Sequence, residues 1–76
     1  MSENKRILVT GATGKVGEVF LKRLLATPRY DSFTVRALCH NRLPAPHERV
    51  EIVHGSMAQL ETVQRAMEGV THVLHL

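Results

Sequence analysis

The stretch VTGATGKVG, residues Val9 to Gly17, decides how this chain is read. It completes the apolar run Ile7-Leu8-Val9 and sets three glycines and a lysine close together. Two loops answer to that description: one cradles a nucleoside triphosphate, the other admits the pyrophosphate of a dinucleotide. The triphosphate loop has the spacing G-x-x-x-x-G-K-[ST], in which the last hydroxyl holds Mg²⁺. Aligned on Gly14 and Lys15, it requires glycine at position 9 and Ser or Thr at 16, where the chain has Val9 and Val16. The triphosphate reading fails. What remains is G-x-x-G-x-x-G, formed by Gly11, Gly14 and Gly17. Gly11 permits a tight turn off a strand, and Gly14 lets the backbone approach a pyrophosphate with no Cβ in the way. Gly17 lets the following helix pack closely on that strand. The helix N-terminus offers unpaired N–H groups to the anion, and Lys15 adds positive charge.

A glycine triplet also marks ordinary turns, so its surroundings decide. Arg6-Ile7-Leu8-Val9-Thr10 is a short apolar run of the kind buried in parallel sheets. From Val16 the apolar residues Val16, Val19, Phe20 and Leu24 follow a helical period, and Pro28 stops it. The glycines lie at a strand-to-helix junction, the context the motif needs.

Composition removes several alternatives. The 76 residues make one small domain at most, and a chain this short buries only about 60% of the surface its unfolded form exposes. Its apolar runs are far below membrane-spanning length, and the polar start MSENKR lacks the apolar region of a signal peptide. The single cysteine, Cys39, allows no internal disulfide and fits a reducing cytoplasm. A net charge of +3 raises the question of nucleic acid. The ten basic residues are scattered, however, and Phe20, Tyr30 and Phe33 make no stacking platform between them. Neither nucleic acid nor membrane is expected as a partner.

Further along, Phe33 to Cys39 reads as a second strand, Val50 to His54 as a third and Thr71 to Leu76 as a fourth. Ser56 to Glu68 reads as a helix, with Leu60, Val63, Ala66 and Met67 sharing a face and Gly69 as its stop. Strands alternating with helices give an α/β, Rossmann-type parallel sheet with helices on its faces. Right-handed crossovers set the strand order at 3-2-1-4, with the topological switch point beside the glycine loop. Asn41 to Arg49 must carry the chain between two parallel strands in nine residues. Such crossovers usually take about a dozen, so a short helical turn or an irregular connection is expected there.

These residues carry a family resemblance. T-G-A-T-G-K-V-G after I-L-V resembles the T-G-x-x-G-x-x-G signature of the short-chain dehydrogenase/reductase superfamily. VEIVHGSM-AQLETVQRAMEGVTHVLHL is similar to the corresponding pattern of its extended and atypical members, the NAD(P)-dependent epimerase/dehydratase proteins and their reductase relatives. The resemblance runs from Lys5 to Leu76. It implies that the 76 residues are the N-terminal portion of an NAD(P)-binding domain, with no second domain, belonging to an enzyme that moves hydride between NAD(P) and its substrate.

Carried over position by position, it implies that Gly11, Gly14, Lys15 and Val16 form the pyrophosphate turn with Gly17 behind it, and that Thr13 offers its hydroxyl. His40, followed by Asn41 and Arg42, stands where an Asp recognises the adenosine ribose in NAD-preferring members. That Asp is absent, and His40 with Arg42 would attract a 2′-phosphate, so NADP is expected ahead of NAD. Ser56 and Met57 take the place of an Asp-hydrophobe pair at the adenine, a hydroxyl for a carboxylate. His75 and Leu76 lead into the segment flanking the cofactor.

The superfamily's proton donor, a tyrosine in Tyr-x-x-x-Lys, has no counterpart here. Tyr30 is followed four residues later by Thr34, so no catalytic pair is expected in these residues. The five histidines lack chelate spacing: His72 and His75, three apart on a strand, point to opposite faces. Two other readings stand beside the enzyme: a non-catalytic dinucleotide sensor of the same fold, and a short protein that dimerises through the bare edge of its fourth strand.

Overall fold

The structure, a computed structural model, describes residues 5–76. The polar start at Met1 to Asn4 lies outside the described residues. The elements follow in the order β1 (Lys5–Thr10), α1 (Lys15–Ala26), a 3₁₀ turn (Pro28–Tyr30), β2 (Phe33–Cys39), β3 (Val50–His54), α2 (Leu60–Met67) and β4 (His72–His75). The four strands form one sheet in the order β3-β2-β1-β4, every neighbouring pair parallel.

Register divides the side chains between two faces. Leu74, Val9, Ala37 and Ile52 stand in one row across the sheet, and Val73, Leu8, Arg36 and Glu51 in the adjacent row. The first row belongs to the face under α1, where Val9, Val35, Ala37 and Cys39 bury with Leu21 and Leu24. The second belongs to the face under α2, where Leu8 and Leu38 meet Ala66. Because β1 is covered on both faces, Ile7-Leu8-Val9 is continuously apolar rather than alternating.

In both helices the buried stripe is rotated from the apolar spacing: Phe20, Leu24 and Ala66 still face the core, but Val16, Val19 and Leu60 do not. On α1 the buried residues are Gly17, Leu21 and Leu24, while Val16 and Val19 are 73% and 60% exposed. Gly17 makes the close approach, and its i+4 and i+7 neighbours follow it inward. On α2 the buried residues are Thr62 and Ala66, and Leu60 is 70% exposed. That helix begins at Leu60 and not at Ser56. Ser56 instead closes a turn: its Oγ accepts the Ala58 N–H at 3.1 Å and its carbonyl accepts the Gln59 N–H at 3.1 Å. A serine satisfying nearby backbone in this way competes with helix.

Two strand-side arginines tie the helix ends to the sheet. Arg36 Nη1 donates to the carbonyls of Ala66 at 2.8 Å and Glu68 at 2.6 Å, at the C-terminus of α2, while its Nε donates to Glu51 at 2.9 Å. Arg6 Nε also lies 2.8 Å from Glu51 Oε1, an ion pair without the alignment of a hydrogen bond. Arg49 donates to Leu25 O at 2.8 Å near the end of α1, and to Tyr30 O at 2.8 Å. Each places positive charge at the negative end of a helix dipole.

Between β2 and β3 the chain crosses without a helix. The irregular connection is sufficient. Returning along a five-residue strand such as β3 takes about 17 Å, and nine extended residues reach about 30 Å.

Candidate functional site

Parallel strands end together, so Thr10, Cys39, His54 and His75 define one edge of the sheet. The residues that follow them meet along that edge in the order Ser56-Met57, His40 to Arg42, the glycine turn and Leu76. Two backbone bonds knit it: the Gly55 N–H to Cys39 O at 3.0 Å and the Leu76 N–H to Thr10 O at 3.2 Å. Chain order reverses between β1 and β4, which makes their shared end the topological switch point, where open α/β sheets bind ligands.

The three glycines of the turn are there for different reasons. Gly11 has φ +76°, a left-handed conformation that other residues rarely adopt, and a Cβ on it would meet Leu76 O at 2.9 Å. A Cβ on Gly17 would run into Gly11 O, with the backbone of Ala12 at 2.9 Å. Gly14 differs. Its φ is −74° and a Cβ there would meet only Gly11 O, at an ordinary 3.5 Å. The fold needs glycine at 11 and 17 but tolerates a side chain at 14.

Gly14 is also the N-cap of α1, with no side-chain cap, at a position where Ser, Asp or Asn would satisfy an orphan N–H. The amides of Lys15, Val16 and Gly17 open the helix, where N–H groups lack intrahelical acceptors. The result is a run of unpaired donors at the positive end of a helix, with no side chain on Gly14 beside it. Such a helix end can take an anion. Thr13 is half-buried and Lys15 exposed beside it.

His40, Asn41 and Arg42 are exposed at the end of β2, and among the described residues Arg42 has no ion-pair partner. Ser56 Oγ is engaged as an acceptor by the Ala58 N–H, which leaves its hydroxyl hydrogen for another group. Met57 and Leu76 are exposed on the same edge. Sequence reading passed over a contact beside the glycine turn: Thr10 Oγ1, almost fully buried, lies 2.5 Å from His75 Nδ1 and links β1 to β4. The signal was a polar residue closing an otherwise apolar strand directly before Gly11.

His72 packs on the Phe33 ring, at 5.3 Å between centroids, on the opposite face from His75. Among the described residues no three His, Cys, Asp or Glu side chains gather to hold a metal. Burial under α1 pushes the Cys39 thiol up from its ordinary value, away from the reactive thiolate. Tyr30 sits in the 3₁₀ turn before β2, at the far end of the strands, packed edge-on against Phe33.

The chain matches the NmrA-like family over residues 3–76. It belongs to that family. Among solved structures, the NmrA-like chain is similar to uronate dehydrogenase from Agrobacterium tumefaciens, with TM-score 0.77, 29% identity and 95% of the chain covered. A tyrosine-to-alanine variant of that dehydrogenase complexed with NAD gives TM-score 0.76 at 30% identity, again over 95% of the chain. The chain spans 26% of the length of each. No curated protein matches it. The parallel order 3-2-1-4 with its helices thus matches a dehydrogenase fold, in a chain of the NmrA-like family. No helix among the described residues is long and apolar enough to cross a membrane.

Proposed function

We propose that this NmrA-like chain binds a nicotinamide dinucleotide along the C-terminal edge of its sheet, as the cofactor-binding front of an NAD(P)-dependent oxidoreductase. One observation carries the reading. Gly14 has an ordinary φ and room for a Cβ, so its lack of a side chain leaves the helix N-terminus open to a ligand. The NAD complex of the similar dehydrogenase supports the same ligand class.

In this reading the amides of Lys15 to Gly17, with Lys15 and the Thr13 hydroxyl, hold the pyrophosphate. Gly11 and Gly17 hold those amides in place against Leu76 and Ala12. His40, Asn41 and Arg42 take the adenosine ribose, and the absence of a carboxylate there favours NADP over NAD. Ser56 and Met57 flank the adenine, the serine through its free hydroxyl hydrogen. Bound cofactor would supply or accept hydride, and these residues bind and orient it.

Calorimetric titration of NADP⁺ and NAD⁺ against the wild type and Gly14→Val tests the reading. Binding by the wild type and its loss in the variant, with the melting curve retained, is the expected result. Equal affinity of the two proteins would refute it. β4 supports a second proposal: among the described residues its outer edge is unpaired, with Val73 exposed, and is available for self-pairing. Sedimentation at several concentrations tests it, and a concentration-independent monomer rejects it.

A further inference from the structure

Between β2 and β3 the chain lies over the α1 side as a strap pinned only at its ends. At its start, Cys39 O accepts the Gly55 N–H. At its finish, the amides of Val50 and Arg49 donate to His47 O and His47 Nδ1, each at 3.0 Å, and the Arg49 guanidinium reaches Leu25 O, Tyr30 O and Phe33 O. From Asn41 to Pro46 no hydrogen bond is made among the described residues.

Under the strap lies a groove of about 560 Å³, lined by Val19, Leu21 and Leu25 of α1 and by Pro44 and Pro46 of the strap. Leu43, adjacent to Pro44, does not line it and is 58% exposed. An apolar side chain therefore stands in water beside an apolar hollow large enough to take it.

α1 carries Lys15 and Lys22 and the strap carries Arg42, none of them ion-paired among the described residues. Glu18 is the one carboxylate lining the groove, and His47 the remaining titratable group there besides Lys22. The strap also carries Glu48, and drawing it onto α1 brings Arg42 toward the helix that carries Lys15, Lys22 and Glu18. A phosphate beside Arg42 would attract it electrostatically.

We propose that the strap closes when the dinucleotide binds: a phosphate of the ligand draws in Arg42, and Leu43 seats in the groove against Leu21, Leu25 and Pro44. The proposal rests on the dinucleotide reading above. Closure satisfies the requirement that a ligand shift an equilibrium only by its different affinity for the two states, since only the closed strap brings Arg42 onto the phosphate. Leu43 then contributes to cofactor affinity without touching the cofactor, and the strap becomes a cover selective for phosphate at the adenosine end.

The protein contains no tryptophan, so Leu43→Trp gives a single reporter on the strap. Titration with NADP⁺ is expected to shift its emission to the blue, with the midpoint seen in calorimetry. Leu43→Ser is expected to bind NADP⁺ about tenfold more weakly, because burial of a leucine is lost. Its melting without ligand should match the wild type, because Leu43 is exposed there. Heat of binding without a blue shift, or an unchanged Kd for Leu43→Ser, overturns the strap and leaves the dinucleotide site standing. No heat with either dinucleotide overturns both.

Discussion

Replacing Gly17 by alanine places a methyl group against backbone that cannot rotate away. Its nearest neighbours would be Gly11 O and the Cα and carbonyl carbon of Ala12. Helix propensity alone favours alanine over glycine by about 0.5–1 kcal/mol. Against that stands the overlap, which only retreat of α1 can relieve, and forced expansion of a packed site costs about 1–3 kcal/mol. Retreat also thins the contacts of Leu21 and Leu24 with Val9 and Val35. Full burial of each leucine is worth about 1.5–3 kcal/mol, so a partial loss puts the total at the upper end of the range. The net destabilisation is roughly 2 kcal/mol. A domain of this size holds only about 4–11 kcal/mol in all, and the loss corresponds to a melting temperature lower by about 8–16 °C.

Gly14→Ala is the internal control. It alters only an N-cap with room for a Cβ, and its cost stays within about 1 kcal/mol. Thermal and urea unfolding followed by circular dichroism measure both. Gly17→Ala as stable as the wild type, or Gly14→Ala as damaging as Gly17→Ala, would refute the division of roles among the glycines.

Three other outcomes are expected. Arg42→Ala should narrow the preference for NADP⁺ over NAD⁺ by about tenfold, the worth of one charge-assisted hydrogen bond; a calorimetric ratio that does not move rejects that role. Arg36→Met keeps much of the packing but frees the Ala66 and Glu68 carbonyls and leaves Glu51 with Arg6 alone. It should cost about 2–3 kcal/mol and speed hydrogen exchange in α2 more than in α1, and equal acceleration in both would count against a capping role. Cys39 holds its proton more firmly folded than unfolded. Its contribution is therefore complete below the thiol's ordinary pKa and lost as pH rises through the folded value. Cys39→Ala should lose stability less steeply over that alkaline range, whatever its offset at neutral pH, and parallel pH profiles would contradict the assignment.

Much of the fold was legible in the chain itself because its signals are local. Phe33 to Cys39 and Val50 to His54 are strands at the bounds their composition indicates. The glycine spacing placed a strand-to-helix junction at Gly11 to Gly17, and crossover handedness then set the order 3-2-1-4. Tertiary structure decided what depends on distance between elements. Val16 and Val19 are as apolar as Leu21 and Leu24, yet the close approach at Gly17 turns them outward. Arg36 and Arg49 look like scattered surface charge in the sequence. They become helix caps only because β2 and the start of β3 run beside carbonyls that belong to other elements. The same holds for Gly14: its letter is identical to those of Gly11 and Gly17, and only the space around each Cα separates a glycine required by the backbone from one left open to a ligand.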